Sequence, residues 1–259
     1  MKILRNTIVM TGIFASILAL SAFVYKTGYN KNNTERITEG KSFAVLELFT
    51  SEGCNSCPPA EELMAKLAKE SNGKPVYILN YHVDYFDYLG WKDVFGSPDN
   101  TRRQKQYSQW LNAQVYTPQL VVNGKNEFIG SDEKAIRDEI VSELSIKHAA
   151  SLVFQARRNI DRITINYNAR NIQPEDRLIL AYIQKAGATN VLRGENAGLK
   201  FHHVQIVKKL ASFPLKNSEI NSAEILVPKN QDKDFTEIVG MVQNNKTGLI
   251  TAVNSAPIN

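Results

Sequence analysis

Residues 43–57 narrow the choice of fold more than any other stretch of this 259-residue chain. Phe43-Ala44-Val45-Leu46-Glu47-Leu48-Phe49 is a nearly continuous apolar run. Such a run suits a strand covered on both faces of a sheet. Thr50 to Gly53 reads as a turn, and Cys54-Asn55-Ser56-Cys57-Pro58-Pro59 follows. Proline is tolerated in a first helical turn, where its missing N–H has no intrahelical partner. Ala60, Leu63, Met64, Leu67 and Ala68 then recur at helical spacing up to Asn72-Gly73, and Val76 to Val83 reads as the next strand. The unit is strand, CxxC, helix, strand.

That placement predicts chemistry. Cys54 is expected at the helix N-terminus, where unpaired N–H groups and the helix dipole stabilise a thiolate, the nucleophile of thiol–disulfide exchange. Cys57 is expected one turn inside, within reach of a mixed disulfide. The chain has 2 cysteines, so a disulfide-rich secreted scaffold is excluded and any internal disulfide joins this pair. Three readings stay open: a redox-active dithiol, a structural disulfide, and a metal pair. The last needs further ligands, and His82 is the nearby candidate for a copper(I) site of Cys54, Cys57 and His82. A disulfide closing so short a loop gains little by chain entropy, which argues against a purely structural bond.

Further on, Pro118 precedes the short apolar strand Leu120-Val121-Val122, the pattern of a cis X-Pro turn at a strand start. Asn123-Gly124 is a type I′ hairpin signal with Glu127-Phe128-Ile129-Gly130 as partner strand. Ser131 is the expected N-cap of a helix carrying Ile136, Ile140 and Leu144 on one face.

Together these residues resemble the thioredoxin superfamily. More closely, Leu46 to Ala60, the stretch His82-Val83-Asp84-Tyr85-Phe86-Asp87-Tyr88-Leu89-Gly90-Trp91-Lys92-Asp93, and Tyr116-Thr117-Pro118-Gln119 resemble a bacterial family of secreted thioredoxin-like proteins of unknown function. The resemblance implies that Cys54 attacks and Cys57 resolves. It also implies that Thr117 and Pro118 form a cis-proline loop offering backbone to an extended substrate. Residues of about 84–112 form an aromatic-rich insertion relative to thioredoxin, expected to shape or cover the site, with Tyr85, Trp91 and Tyr116 as candidate substrate contacts. Glu47 interrupts the apolar strand. It is either a proton acceptor for Cys57 or an acid reaching solvent or a backbone donor. Glu52 is expected to be an exposed turn residue. His82 and Asp84 sit at a strand's C-terminal end, where they could pair near the dithiol.

After His148 the pattern changes to short alternating strands: Ile163, Ile165 and Tyr167, then Leu178–Ile183, Val204–Val207, Ala223–Val227, Ile238–Val242 and Gly248–Val253. This spacing predicts a β-sandwich. Leu192-Arg193-Gly194-Glu195-Asn196-Ala197-Gly198 followed by His203 matches the same family's second motif. Glu195, Asn196 and His203 could face the dithiol or hydrogen-bond the loop to the strand; His202 is the expected solvent-facing neighbour.

At the N-terminus, Lys2 and Arg5 precede an apolar run from Ile8 to Tyr25, the pattern of a signal peptide or signal-anchor, and residues 26–40 read as a linker. Lys2, Arg5, Lys26, Lys31 and Arg36 against Glu35 and Glu39 place +3 of the +5 net charge there, so the basic balance points to no nucleic-acid partner. The expected architecture is therefore an α/β thioredoxin-like domain over 41–149 followed by an all-β sandwich domain over 150–259, a two-domain α+β chain. The expected function is exported thiol–disulfide exchange, periplasmic or extracellular. It needs no cofactor beyond a redox-active Cys54–Cys57 disulfide, takes envelope protein thiols or disulfides as partners, and touches a membrane only through an uncleaved N-terminal segment. A copper-handling metallochaperone and a non-catalytic envelope binding module are the rivals.

Overall fold

The computed structural model describes residues 41–215, 221–227 and 236–259. The expected leader at 8–25 and the linker at 26–40 lie outside the described residues. Among the described residues no helix is long and apolar enough to cross a membrane.

The chain runs β1 (Ala44–Thr50), α1 (Pro58–Glu70), β2 (Val76–His82), a 3-10 turn at Asp87–Leu89, α2 (Pro98–Leu111), β3 (Gln119–Val122), β4 (Asn126–Ile129) and α3 (Glu133–Ser145). Seven strands follow: β5 (Ser151–Asn159), β6 (Arg162–Arg170), β7 (Asp176–Asn190), β8 (Lys200–Pro214), β9 (Asn221–Leu226), β10 (Thr236–Asn244) and β11 (Ile250–Pro257). β1 is buried along its whole length, as its apolar run predicts. The β3–β4 hairpin turns through positive φ at Asn123 and Gly124, and Lys125 N donates to Val122 O at 2.9 Å. Asp132, not Ser131, caps α3, because its carboxylate accepts the Ala135 N–H at 3.1 Å.

The expected architecture needs correction. An α/β thioredoxin-like domain followed by a separate β-sandwich is not what forms. One eight-stranded mixed sheet runs β11-β10-β7-β8-β2-β1-β3-β4 through both halves of the chain, and the described residues are mostly β. β1 and β2 are parallel, β3 is antiparallel to β1, and β7, β8, β10 and β11 join antiparallel to one another. The junction is β2 with β8, where Asn80 pairs with Ile206 and Asn80 Nδ2 donates to Val204 O at 2.6 Å. Positive φ at Gln205 and a register shift in β7–β8 at Tyr182/Ile183 bend β8 at this point, a bulge that re-aims the strand.

The cores show why local pattern missed this. β7 is buried on both faces along its first half, from Leu178 to Ile183. Leu178, Leu180 and Tyr182 pack against the three-stranded sheet β5-β6-β9. Their neighbours Ile179, Ala181 and Ile183 join one continuous core with Val45 and Phe49 of β1, Tyr81 of β2, Tyr107 of α2 and Met241 of β10. A third cluster packs Leu46 and Leu48 against Leu63, Met64 and Leu67 of α1 and Ile136 of α3. Alternation along a strand says which residues share a face and leaves open which layer covers it.

Candidate functional site

β1 delivers the chain into the loop Ser51–Cys57 and then α1. Cys54 N donates to Ser51 O at 3.1 Å and Cys57 N to Cys54 O at 3.3 Å. This turn brings the two Cα atoms to 5.5 Å, and the sulfurs are joined as a disulfide. Cys57 is the N-cap of α1 and Cys54 lies one turn before the helix, so the expected placement shifts by one turn. Pro58 and Pro59, at the first two helical positions, have no N–H to offer. The next two donors, Ala60 N and Glu61 N, both turn to Cys57 O at 3.0 and 3.2 Å. What the helix offers a Cys54 thiolate is therefore its dipole.

The Thr117–Pro118 peptide is cis and stands beside this turn. Ser56 Oγ is 3.4 Å from Cys54 Sγ and donates to Thr117 O at 3.4 Å. Gly130 N donates to Pro118 O at 2.8 Å, and a Cβ on Gly130 would meet Leu48 Cδ1 at 2.7 Å, Pro118 Cβ at 3.0 Å and Ala60 Cβ at 3.2 Å. Only glycine lets β4 end so close to α1 and the proline loop. Buried Gln104 of α2 gathers the aromatic side: its Nε2 donates to Tyr116 O at 2.7 Å and its Oε1 accepts from Tyr85 OH at 3.1 Å. Tyr116 OH donates to Glu127, and burial together with that carboxylate pushes the phenol up.

Behind the Cys turn lies a buried cluster of carboxylates and imidazoles. Glu52 is fully buried, not exposed as its turn position suggests. Its Oε2 accepts from Trp91 Nε1 at 2.7 Å, and its Oε1 faces His203 Nε2 at 3.0 Å. His203 Nδ1 lies 2.6 Å from Glu61 Oε2, and Glu61 Oε1 accepts from Thr50 Oγ1 at 2.8 Å. Both nitrogens of His203 face carboxylates. Burial disfavours its charge, yet the bonds to Glu52 and Glu61 prevail and raise it to about 9. Burial likewise opposes ionisation of Glu61, but the His203 bond, the charges of His82 and His203 and the Thr50 bond together outweigh it, so its pKa falls. His82 packs edge-on to His203 with centroids 4.7 Å apart, and its Nδ1 is 2.7 Å from Asp93 Oδ2. Asp93 falls below its ordinary value: burial raises it, and His82 with backbone N–H groups of Glu52 and Phe95 overcomes that.

The expected site residues thus divide. Asn196 is buried and donates through Nδ2 to Glu52 O at 2.8 Å and Cys54 O at 2.9 Å, so it pins the 191–199 loop onto the Cys turn. Its neighbour Glu195 points to solvent. Asp84 accepts from Thr101 Oγ1 at 2.5 Å, and the acid beside His82 is Asp93. Glu47 faces away from α1, with Val45 and Phe49, because side chains alternate along a strand. Its carboxylate is taken by Arg103 Nε at 2.6 Å and by Tyr107 OH. Cys54, Cys57 and His82 do not converge as a trio: the sulfurs are bonded to each other, and His82 meets Glu61 and His203. Sequence reasoning passed over Glu61, Asp93 and Arg103. Glu61 carried a signal, a carboxylate three residues before Met64 on the apolar face of α1.

The sequence matches the model of DUF1223, a protein family of unknown function, over residues 45–243. The chain belongs to that family. This DUF1223 protein is similar in structure to a crystallographically determined protein of Agrobacterium tumefaciens at 25% identity and a TM-score of 0.65, covering 84% of this chain and 95% of that one. It is also similar to HBP35 of Porphyromonas gingivalis at 15% identity and a TM-score of 0.63, covering 84% and 76%. The second likeness concerns the fold alone. No curated protein matches the chain.

Proposed function

We propose that this DUF1223 protein is an exported thiol–disulfide oxidoreductase acting on thiols or disulfides of envelope proteins. The observation that carries the reading is the Cys54–Cys57 disulfide set at the N-cap of α1 beside the Thr117–Pro118 loop, with the Ser56 hydroxyl 3.4 Å from both. The basic residues Lys2 and Arg5 ahead of the apolar run Ile8–Tyr25 support export.

In the reducing direction the Cys54 thiolate attacks one sulfur of a substrate disulfide, and the other substrate sulfur leaves as a thiolate that takes a proton. The Cys57 thiolate then attacks Cys54 Sγ and expels the second substrate sulfur. Two electrons pass to the substrate and the protein keeps the disulfide. The reverse sequence oxidises a substrate dithiol. The Ser56 hydroxyl can turn from Thr117 O to donate to a Cys54 thiolate. Cys54 is only 2% exposed, so a substrate sulfur reaches it when the loop held by Asn196 yields.

A Cys57→Ser variant of the full chain, expressed in the envelope, should accumulate mixed disulfides through Cys54. Failure to trap any partner while Cys54 of that variant still reacts with a thiol reagent would sink the reading. A midpoint well below about −300 mV without exchange activity would assign the bond a structural role.

A further inference from the structure

We propose that Glu61, His82 and His203 form a binding site for a divalent first-row transition metal such as zinc, separate from the cysteines. Ligand atoms of the three lie within 4.8 Å of one another, and all three side chains are buried. His82 supplies the decisive observation. Its Nδ1 faces the acceptor Asp93 Oδ2 at 2.7 Å, and so carries a hydrogen. Its Nε2 is buried with no hydrogen-bond partner among the described residues. A buried ring nitrogen left alone is costly, and in the neutral ring this one holds the lone pair a metal takes.

The other two ligands fit the same scheme. A cation replacing the proton between His203 Nδ1 and Glu61 Oε2 leaves His203 Nε2–H donating to Glu52 Oε1. Each imidazole is then backed by a carboxylate, Asp93 for His82 and Glu52 for His203, the arrangement that orients metal-bound histidines. Those backing groups are themselves held. Glu52 accepts from Trp91 Nε1, Asp93 accepts from the N–H groups of Glu52 and Phe95, and Glu61 Oε1 accepts from Thr50. Metal–ligand bonds of about 2.0–2.1 Å at tetrahedral angles separate ligand atoms by roughly 3.3 Å. The observed spread, from 2.6 Å to at most 4.8 Å, brackets that separation.

Charge points the same way. Three carboxylates, Glu52, Glu61 and Asp93, surround two imidazoles, so with neutral rings the cluster carries a negative excess that Lys208, over the Phe95 ring and near Asp93, offsets only in part. Two nitrogens and one oxygen suit zinc and its first-row neighbours better than calcium or magnesium. Of the three ligands Glu61 lies nearest to solvent, lining a cleft of about 630 Å³ between α1 and β8 together with Leu199, Phe201 and His202.

The test uses the full chain, stripped with chelator and with its disulfide intact, titrated with zinc by calorimetry and with cobalt(II) by visible absorption. One equivalent should bind. Glu61→Gln and His82→Asn should abolish binding in protein whose circular dichroism is unchanged, and Asp93→Asn should weaken it about 10–100-fold. Glu62→Gln and His202→Ala on the cleft surface, and the Cys54→Ser/Cys57→Ser double variant, should bind as wild type does. The proposal is overturned if folded wild type takes up no zinc at pH 8, or if Glu61→Gln and His82→Asn keep wild-type affinity. Should those variants not fold, the cobalt spectrum of wild type decides. A nitrogen–oxygen ligand field supports the site, and a thiolate charge-transfer band overturns it.

Discussion

The imidazole of His203 stands 2.6 Å from the carboxylate of Glu61, 142 residues away in the chain, and 3.0 Å from Glu52 on its other side. Strand β8 crosses to the start of α1 at this point, so the contact closes the fold and roofs the Cys turn together.

This pair sets a pH dependence in the chelated, metal-free protein. The folded state raises His203 from 6.5 to about 9. A raised pKa means the folded state holds the proton more tightly than the unfolded chain. The stabilisation is thus fully present below pH 6.5 and lost as pH climbs through about 9. Urea unfolding between about pH 6.5 and 10 should show wild-type stability falling more steeply than that of His203→Gln. Parallel slopes would refute the assignment.

Glu47 and Arg103 form a buried ion pair, completed by Tyr107 and by Gln243 Oε1, which accepts from Arg103 Nη1 at 3.2 Å. Removing one member leaves the other charged and unpaired. Arg103→Met or Glu47→Gln should therefore cost about 3–5 kcal/mol in denaturant unfolding. The pH profile of Cys54–Cys57 reduction should stay as in wild type for Glu47→Gln. A shifted profile would restore Glu47 as a proton acceptor for Cys57.

Asn196 holds two carbonyls of the Cys turn, those of Glu52 and Cys54. Asn196→Ala removes both bonds and should make dithiothreitol reduce the disulfide several-fold faster, read by quenched thiol labelling. It should also cost about 1–3 kcal/mol of stability, because two buried acceptors lose a donor. An unchanged reduction rate would show that this loop does not control access.

Gly130, the residue after β4, lies close against the proline loop and α1. A methyl group there would press on Leu48, Pro118 and Ala60 together. Gly130→Ala should destabilise by about 1–3 kcal/mol in thermal or urea unfolding. A neutral result would mean that β4 can withdraw from α1 at little cost.

Much of the local structure is written in short-range pattern. The apolar run of β1, the two prolines opening α1 and the Asn123-Gly124 turn each specify their conformation through neighbours a few residues away. Cys54 and Cys57 are three positions apart and have no other cysteine to choose, so their pairing was legible as well. His82 already shows the limit: Asp84, two residues on, turns to Thr101, and the loop at 90–97 brings Asp93 to the ring.

Tertiary structure alone decided the rest. Which face of β1 carries Glu47 toward Arg103, which layer covers each face of β7, and whether β8 joins β2 all depend on pairing between distant segments. The joining of Glu52 and Glu61 with His203 has the same origin. A strand's sequence states that its alternate residues are buried and not against what. The partner is set by the total burial and hydrogen bonding of the completed sheet, which no local window contains.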